Sequence, residues 1–310
     1  MIALLAPGQG AQSPGMLGPW LALDGARDRV AAWSAATGLD LARLGTTADA
    51  GEIKDTAVTQ PLVVALSLLA AEELVRRTTL PADAPVAGHS VGELAAAAVA
   101  GVLTADEAVT LAAVRGHEMA AACALEPTGM SAVLGGDPDD VTAVVARWGL
   151  TTANRNGAGQ IVAAGPLAAL AALAQDRPDQ ARVLSLHVAG AFHTRFMAPA
   201  QQALAEYATR LTPRDPARPL LSNADGEVVN GGAEMLRRLV TQVTKPVRWD
   251  LCMARLATIG VTAVIELPPA GILSGLVKRE LKGIPRLALK DPGDLDQAAG
   301  MVCDHSTSPA

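Results

Sequence analysis

A serine framed by glycines, Gly88-His89-Ser90-Val91-Gly92, stands between the apolar run "PVA" and an alanine-rich segment. Glycines on both sides let a strand turn sharply into a helix and leave one side chain projecting. A hydroxyl held there, near the positive end of the following helix, is placed to act as a nucleophile. The same residues also fit a plain strand-to-helix loop in which Ser90 caps the helix and Glu93, three residues on, completes a capping box. A serine nucleophile needs a base, and the chain has 5 histidines. His89 adjoins the serine on a tight elbow, where neighbours point apart. His117 falls mid-helix, His187 in a strand and His305 in the C-terminal tail. His193, in "VAGAFHT", stands just past an apolar strand, where the loops of open α/β sheets gather reactive groups. It also fits the first turn of a helix with no chemistry attached. Asp137, Asp139, Asp140, Asp176 and Asp179 lie between Ser90 and His193, as the order of a serine hydrolase or thioesterase would allow.

The elements that must hold these groups follow from apolar patterning. "IALLA" (2–6) reads as a buried strand ended by Pro7-Gly8. "QPLVVALSLLAAEELVRR" reads as a helix with Arg76 and Arg77 in its last turn, and "TADEAVTLAAVRGHEMAAACA" as a helix capped by Thr104. From Glu126-Pro127-Thr128-Gly129 onward the order is strand, helix, two strands, helix, strand, which is ferredoxin-like. Alternation of helices and strands then resumes: "HTRFMAPAQQALAEYATRL" and "GILSGLVKREL" read as helices, "RPLLSNADGEVV" as a strand running into a turn. The expected fold is α/β: a large α/β-hydrolase-like subdomain with a parallel sheet (1–126 and 190–300), an inserted small ferredoxin-like subdomain (127–189), and a frayed tail (301–310).

Composition narrows the function classes. The chain of 310 residues is 50% hydrophobic and 18% charged, enough for a sizeable core, and at 2% aromatic it must pack mostly with aliphatic side chains. A net charge of −6 argues against nucleic acid as the main partner. No uninterrupted apolar run looks long enough to span a bilayer and no signal-peptide pattern opens the chain. The 3 cysteines, Cys123, Cys252 and Cys303, are far apart and odd in number, which fits reduced thiols in a cytoplasmic protein better than a disulfide frame or a metal site.

Six segments occur in a telling order: "PGQGAQ", "GHSVGE", the arginine of "AVRGHEM", "NRNGAGQ", "GAFH" and "TQVTKPVRW". As a set, over about residues 1–290, they resemble the malonyl-CoA:acyl carrier protein transacylases of type II fatty acid synthesis, relatives of the acyltransferase domains of polyketide synthases. The resemblance implies Ser90 as nucleophile and His193 as general base, in a dyad without a carboxylate. It implies that the main-chain carbonyl of Gln242 orients the imidazole, and that the amides of Gln9 and Val91 form an oxyanion hole. Arg115 would hold the substrate carboxylate through paired hydrogen bonds. Asn156 would add a substrate contact, though an Asn/Gly turn explains it equally. Phe192 beside the base, with Val91, resembles the malonyl-selective pattern, although the ring could simply be core. Two positions depart from the family's usual residues, Pro268-Pro269 and Lys245.

The expected substrates are therefore malonyl-CoA, a coenzyme A thioester, and holo acyl carrier protein, with no other cofactor, no nucleic acid, no membrane and a monomeric enzyme. An acidic carrier would need a basic patch on this acidic chain. Lys278, Arg279, Lys282, Arg286 and Lys290 form one candidate, Arg76 and Arg77 a smaller one; a solvated helix face explains either. Other readings are a discrete acyltransferase of a polyketide pathway, a hydrolase, a patatin-like Ser-Asp pair using Asp225-Gly226, and a silent carrier-binding module.

Overall fold

The computed structural model describes residues 1–306. Four short parallel strands form the main sheet: β1 (Ile2–Ala6), β2 (Val86–Gly88), and further along the chain the strands Ala263–Glu266 and Arg286–Ala288. Between them in sequence come β3 (Thr128–Gly135), β4 (Thr151–Gly157), β5 (Gln160–Pro166), β6 (Ala181–Leu186) and β7 (Val247–Arg248), so the last two strands of the main sheet are β8 and β9. The main sheet runs in the order β2-β1-β8-β9. Its central strand β1, "IALLA", is buried at every position, because helices cover both faces of a parallel sheet.

The second sheet has the order β6-β3-β5-β4-β7. Its first four strands are antiparallel neighbours with helices Pro138–Arg147 and Leu167–Gln175 in the crossovers, the ferredoxin-like arrangement. The fifth strand comes from outside the insertion: β7 pairs in parallel with β4 through Asn154–Val247 and Arg155–Arg248. Small sheet and large body are thus joined by backbone hydrogen bonds as well as by packing.

Several local readings shift. The helix expected from Gln60 begins at Thr56, where the Asp55 carboxylate accepts the Ala57 amide, and runs to Arg77. At 22 residues, with an 18-residue window of mean hydropathy 1.5, it is long and apolar enough to cross a membrane, contrary to the expectation from sequence. Yet 83% of that window is buried inside the fold, so it serves here as the core helix. Segment 218–229 forms only bridges, Leu220 beside Val86 and Leu221 opposite Val228, instead of a strand. His187 lies beyond the end of β6 and is exposed. The expected frayed tail is helical through Ser306, in Leu295–Ser306, where His305 Nδ1 meets the Thr262 hydroxyl at 2.9 Å; 307–310 lie outside the described residues.

Candidate active site

Strand β2 ends at Gly88 and the next helix begins at Gly92, so the chain reverses over three residues. A Cβ on Gly88 would sit 2.1 Å from the Gly92 carbonyl, and one on Gly92 would sit 2.3 Å from the Ala6 carbonyl. Only glycine permits this crowding of the elbow against the end of β1. Ser90 takes the left-handed conformation, φ 54°, which an L-residue adopts at a cost. The helix has no side-chain cap: Glu93 turns away from Ser90, so the capping-box alternative fails.

His193 lies in the loop after β6. The Ala191 amide donates to the Thr128 hydroxyl at 3.0 Å, and the Thr194 hydroxyl donates to the Ala191 carbonyl at 2.6 Å. These bonds hold the loop in a tight turn with His193 at φ 61°. Its Nε2 is 2.7 Å from Ser90 Oγ and its Nδ1 is 2.9 Å from the main-chain oxygen of Gln242. A carbonyl can only accept, so Nδ1 carries the proton and Nε2 presents its lone pair to the serine hydroxyl. Burial, helped by the positive charge of Arg115, presses the imidazole pKa down to about 3. The ring is therefore neutral at ordinary pH and ready to accept a proton. None of the aspartates Asp137, Asp139, Asp140, Asp176 and Asp179 approaches it. All five are exposed, with Asp137 capping a helix and Asp176 paired with Arg147. Asp225 forms an ion pair with Arg238 on the surface, which removes the Ser-Asp alternative.

Arg115 is buried on helix Ala105–Cys123, whose start is fixed by the expected Thr104 cap, which the structure completes with Glu107 as a capping box. This helix crosses Thr56–Arg77 in close contact at Gly116, where a Cβ would meet the Thr56 carbonyl at 2.6 Å. The close approach brings Gln60 Oε1 within 2.6 Å of Arg115 Nη1. The other arm, Nη2, donates to Gln242 Oε1 at 2.9 Å and to Ser90 Oγ at 3.3 Å. The serine oxygen thus accepts from a cation and donates to a neutral base. Burial lowers the guanidinium pKa to about 10, with Glu93 opposing, so it stays charged.

The Pro7-Gly8-Gln9 turn lies directly against the elbow: the His89 amide donates to the Ala6 carbonyl at 3.0 Å, and a Cβ on Gly8 would strike the His89 oxygen at 2.6 Å. Gln9 uses its side chain on the Thr56 hydroxyl. The main-chain amides of Gln9 and Val91 donate to no protein acceptor among the described residues. Asn156, at the buried end of β4, accepts on Oδ1 from His89 Nε2 at 2.9 Å, which ties the small sheet to the elbow. Phe192 is 7% exposed and packs in the main hydrophobic cluster.

Three partners escaped the reading of the sequence. Gln60 is the far anchor of Arg115. Asn223, fully buried, accepts the Ser90 amide on Oδ1 at 2.8 Å and donates Nδ2 to the Gly88 carbonyl at 2.8 Å, clasping the elbow from below. Glu93 is a buried carboxylate beneath both. The only sequence signal for Glu93 was its place in "GHSVGE", where capping offered a simpler account; Asn223 lay in what reads as a turn.

A serine activated by a neutral imidazole, two free amides flanking it and a guanidinium aimed at the serine oxygen can form and break an ester whose acyl group carries a negative charge. Comparison with known proteins agrees in kind. A model of the acyl transferase domain family matches residues 4–302. The malonyl CoA-acyl carrier protein transacylase of Mycobacterium tuberculosis is 61% identical over 302 residues, covering 97% of this chain and 100% of that protein. A crystal structure of the enzyme from M. tuberculosis superimposes with a TM-score of 0.93 at 60% identity, over 96% of this chain and 99% of that one. A malonyl-transacylase solved in complex with a type II polyketide acyl carrier protein matches with a TM-score of 0.91 at 28% identity, over 97% and 99% of the two chains.

Proposed function

The chain belongs to the acyl transferase domain family, and from that premise we propose that it moves a malonyl group from coenzyme A to the phosphopantetheine thiol of an acyl carrier protein, through an ester on Ser90, in fatty acid synthesis. The observation that carries the substrate is the state of Arg115. Its guanidinium is buried at the nucleophile and, among the described residues, bonded only to neutral oxygens, those of Gln60, Gln242 and Ser90. A buried cation without a hydrogen-bonded anion is costly, and a carboxylate on the acyl group supplies the missing partner.

In the first half-reaction Ser90 Oγ attacks the thioester carbonyl while its proton passes to His193 Nε2. The amides of Gln9 and Val91 receive the negative charge on the carbonyl oxygen. The C–S bond breaks and coenzyme A leaves as the thiol, taking the proton from His193. In the second, the carrier thiol gives its proton to His193, its sulfur attacks the ester carbonyl, and Ser90 leaves with the proton restored.

The carrier, an acidic protein, is proposed to dock on helix Ile272–Glu280 and the residues after it. Lys278, Arg279, Lys282, Arg286 and Lys290 are all exposed there, and none forms an ion pair among the described residues. Arg76 and Arg77 are each paired, with Glu73 and Asp296, and so are poorer candidates. Ile272, half-exposed at the start of that helix, lies beside Gly10 of the oxyanion loop, and this nearness of the helix start to the site supports the reading.

Intact-protein mass spectrometry with malonyl-CoA, then with holo acyl carrier protein, tests this reading. One malonyl group on Ser90 that moves to the carrier is expected. Free malonate with an unloaded carrier would make the enzyme a hydrolase.

A further inference from the structure

Glu93 is 1% exposed, and its two carboxylate oxygens serve two different partners. Oε1 accepts the main-chain amide of Asn223 at 2.5 Å, and Oε2 accepts the side-chain amide of Gln242. Gln242 in turn offers Oε1 to Arg115 at 2.9 Å. The chain of bonds therefore begins at an obligate donor, the Asn223 N–H, and ends at another, the Arg115 guanidinium. Between them the Gln242 NH2 donates to Glu93 and, at 3.3 Å, to Asn223 Oδ1, while its Oε1 accepts from Arg115. The count closes only if the residue at 93 accepts at both ends.

We propose that Glu93 is a positioning residue for acyl selectivity: as a double acceptor it fixes which way the Gln242 amide faces, and so holds Arg115 where it can take the carboxylate of the acyl group. This rests on the transacylase reading above. An amide at position 93 breaks the count. Its oxygen would face Asn223, whose main-chain N–H cannot turn around, and its NH2 would face Gln242. Gln242 would then flip and present its own NH2 to the Arg115 guanidinium, donor against donor. The bond between His193 and the main-chain oxygen of Gln242 needs no particular side-chain orientation, so the base keeps its partner and the loss falls on Arg115.

Burial lifts the Glu93 pKa to about 8, while the Asn223 amide and the charges of Arg115 and Arg238 pull it back and Asp225 adds to the lift. A neutral acid, one donor and one acceptor, would fail the count as an amide does. The pattern of bonds is that of the ionised carboxylate. A cavity of about 280 Å³, lined by Glu93, Gln242, Ser222, Thr241 and Lys245 among others but by neither Ser90 nor His193, reaches the pair.

The test compares acylation by malonyl-CoA and by acetyl-CoA in the wild type, Glu93→Gln and Glu93→Asp, at about pH 8.5 so that the carboxylate is ionised. Glu93→Gln should raise KM for malonyl-CoA and cut the malonyl-to-acetyl ratio of kcat/KM roughly 10- to 100-fold, the size of one lost charged hydrogen bond. Glu93→Asp leaves a gap but keeps two acceptors, so it should retain more of the ratio than the isosteric amide. Equal losses on both substrates, an unchanged ratio in Glu93→Gln, or an aspartate variant less selective than the glutamine one would each overturn the role. Should Glu93→Gln fail to fold, the wild type decides: the acceptor count predicts that its malonyl-to-acetyl ratio falls as pH drops through about 8 and Glu93 takes up a proton, whereas a packing role predicts a ratio flat in pH. A wild type that takes no malonyl group at all would instead defeat the transacylase reading.

Discussion

Ser90 and His193 meet at 2.7 Å with both backbones in the left-handed region, φ 54° and 61°. Neither residue is glycine, so both ends of the dyad hold strain that the surrounding hydrogen bonds must offset. Replacing Ser90 with glycine should therefore stabilise the fold relative to Ser90→Ala by about 1 kcal/mol, while both variants lose the acyl-enzyme. Urea midpoints of the two variants measure this; equal midpoints would mean the elbow is relaxed.

Arg115→Ala should reduce kcat/KM for malonyl-CoA by roughly 100-fold, since truncating one partner of a buried charged contact costs about 3 kcal/mol. Acetyl-CoA has no carboxylate to lose and should be spared most of that. Steady-state kinetics with the two thioesters separate the outcomes, and equal losses would refute the clamp.

The depressed imidazole of His193 has a consequence for stability with a definite sign. Unfolded, it takes up a proton near its ordinary pKa of 6.5, whereas folded it resists until about 3. The unfolded state thus binds more protons across that window, and this site's contribution is present above pH 6.5 and lost as pH falls toward 3. His193→Asn has no such titration. The stability gap between wild type and this variant, followed by denaturant melts, should shrink between pH 7 and pH 4; a constant gap would mean the ring titrates normally in the fold.

Reversing charge at Lys278 and Arg279 should slow transfer to the acidic carrier at low salt, through the association rate, and the difference should fade as ionic strength rises. Stopped-flow transfer at several salt concentrations reads this. An unchanged rate at low salt would move the docking surface elsewhere.

The legibility of this chain divides along a physical line. Groups whose position follows from local backbone geometry were readable: the elbow from its glycines, the Thr104 cap, the ferredoxin-like order with its four expected strands. The pairing of Ser90 with His193, 103 residues apart, was reached through resemblance, because no local pattern reports a contact of that range. Asn223, Gln60 and the side-chain role of Gln242 stayed hidden for the same reason: each is an ordinary amide until the fold surrounds it with donors and acceptors. β7 was missed because two residues, Val247 and Arg248, are too few to show a period. The helix Ala26–Thr37 buries only Ala26, Val30 and Trp33, a stripe too thin to stand out among alanines.

The base is steadied by the main-chain oxygen of residue 242, and that atom is written into every codon alike. A substitution there can misplace Arg115 by removing the amide, but it cannot delete the partner of His193; only a change that moves the backbone can. Inherited variation at this position is thus free to retune which acyl groups are accepted while the proton-transfer apparatus passes through unaltered.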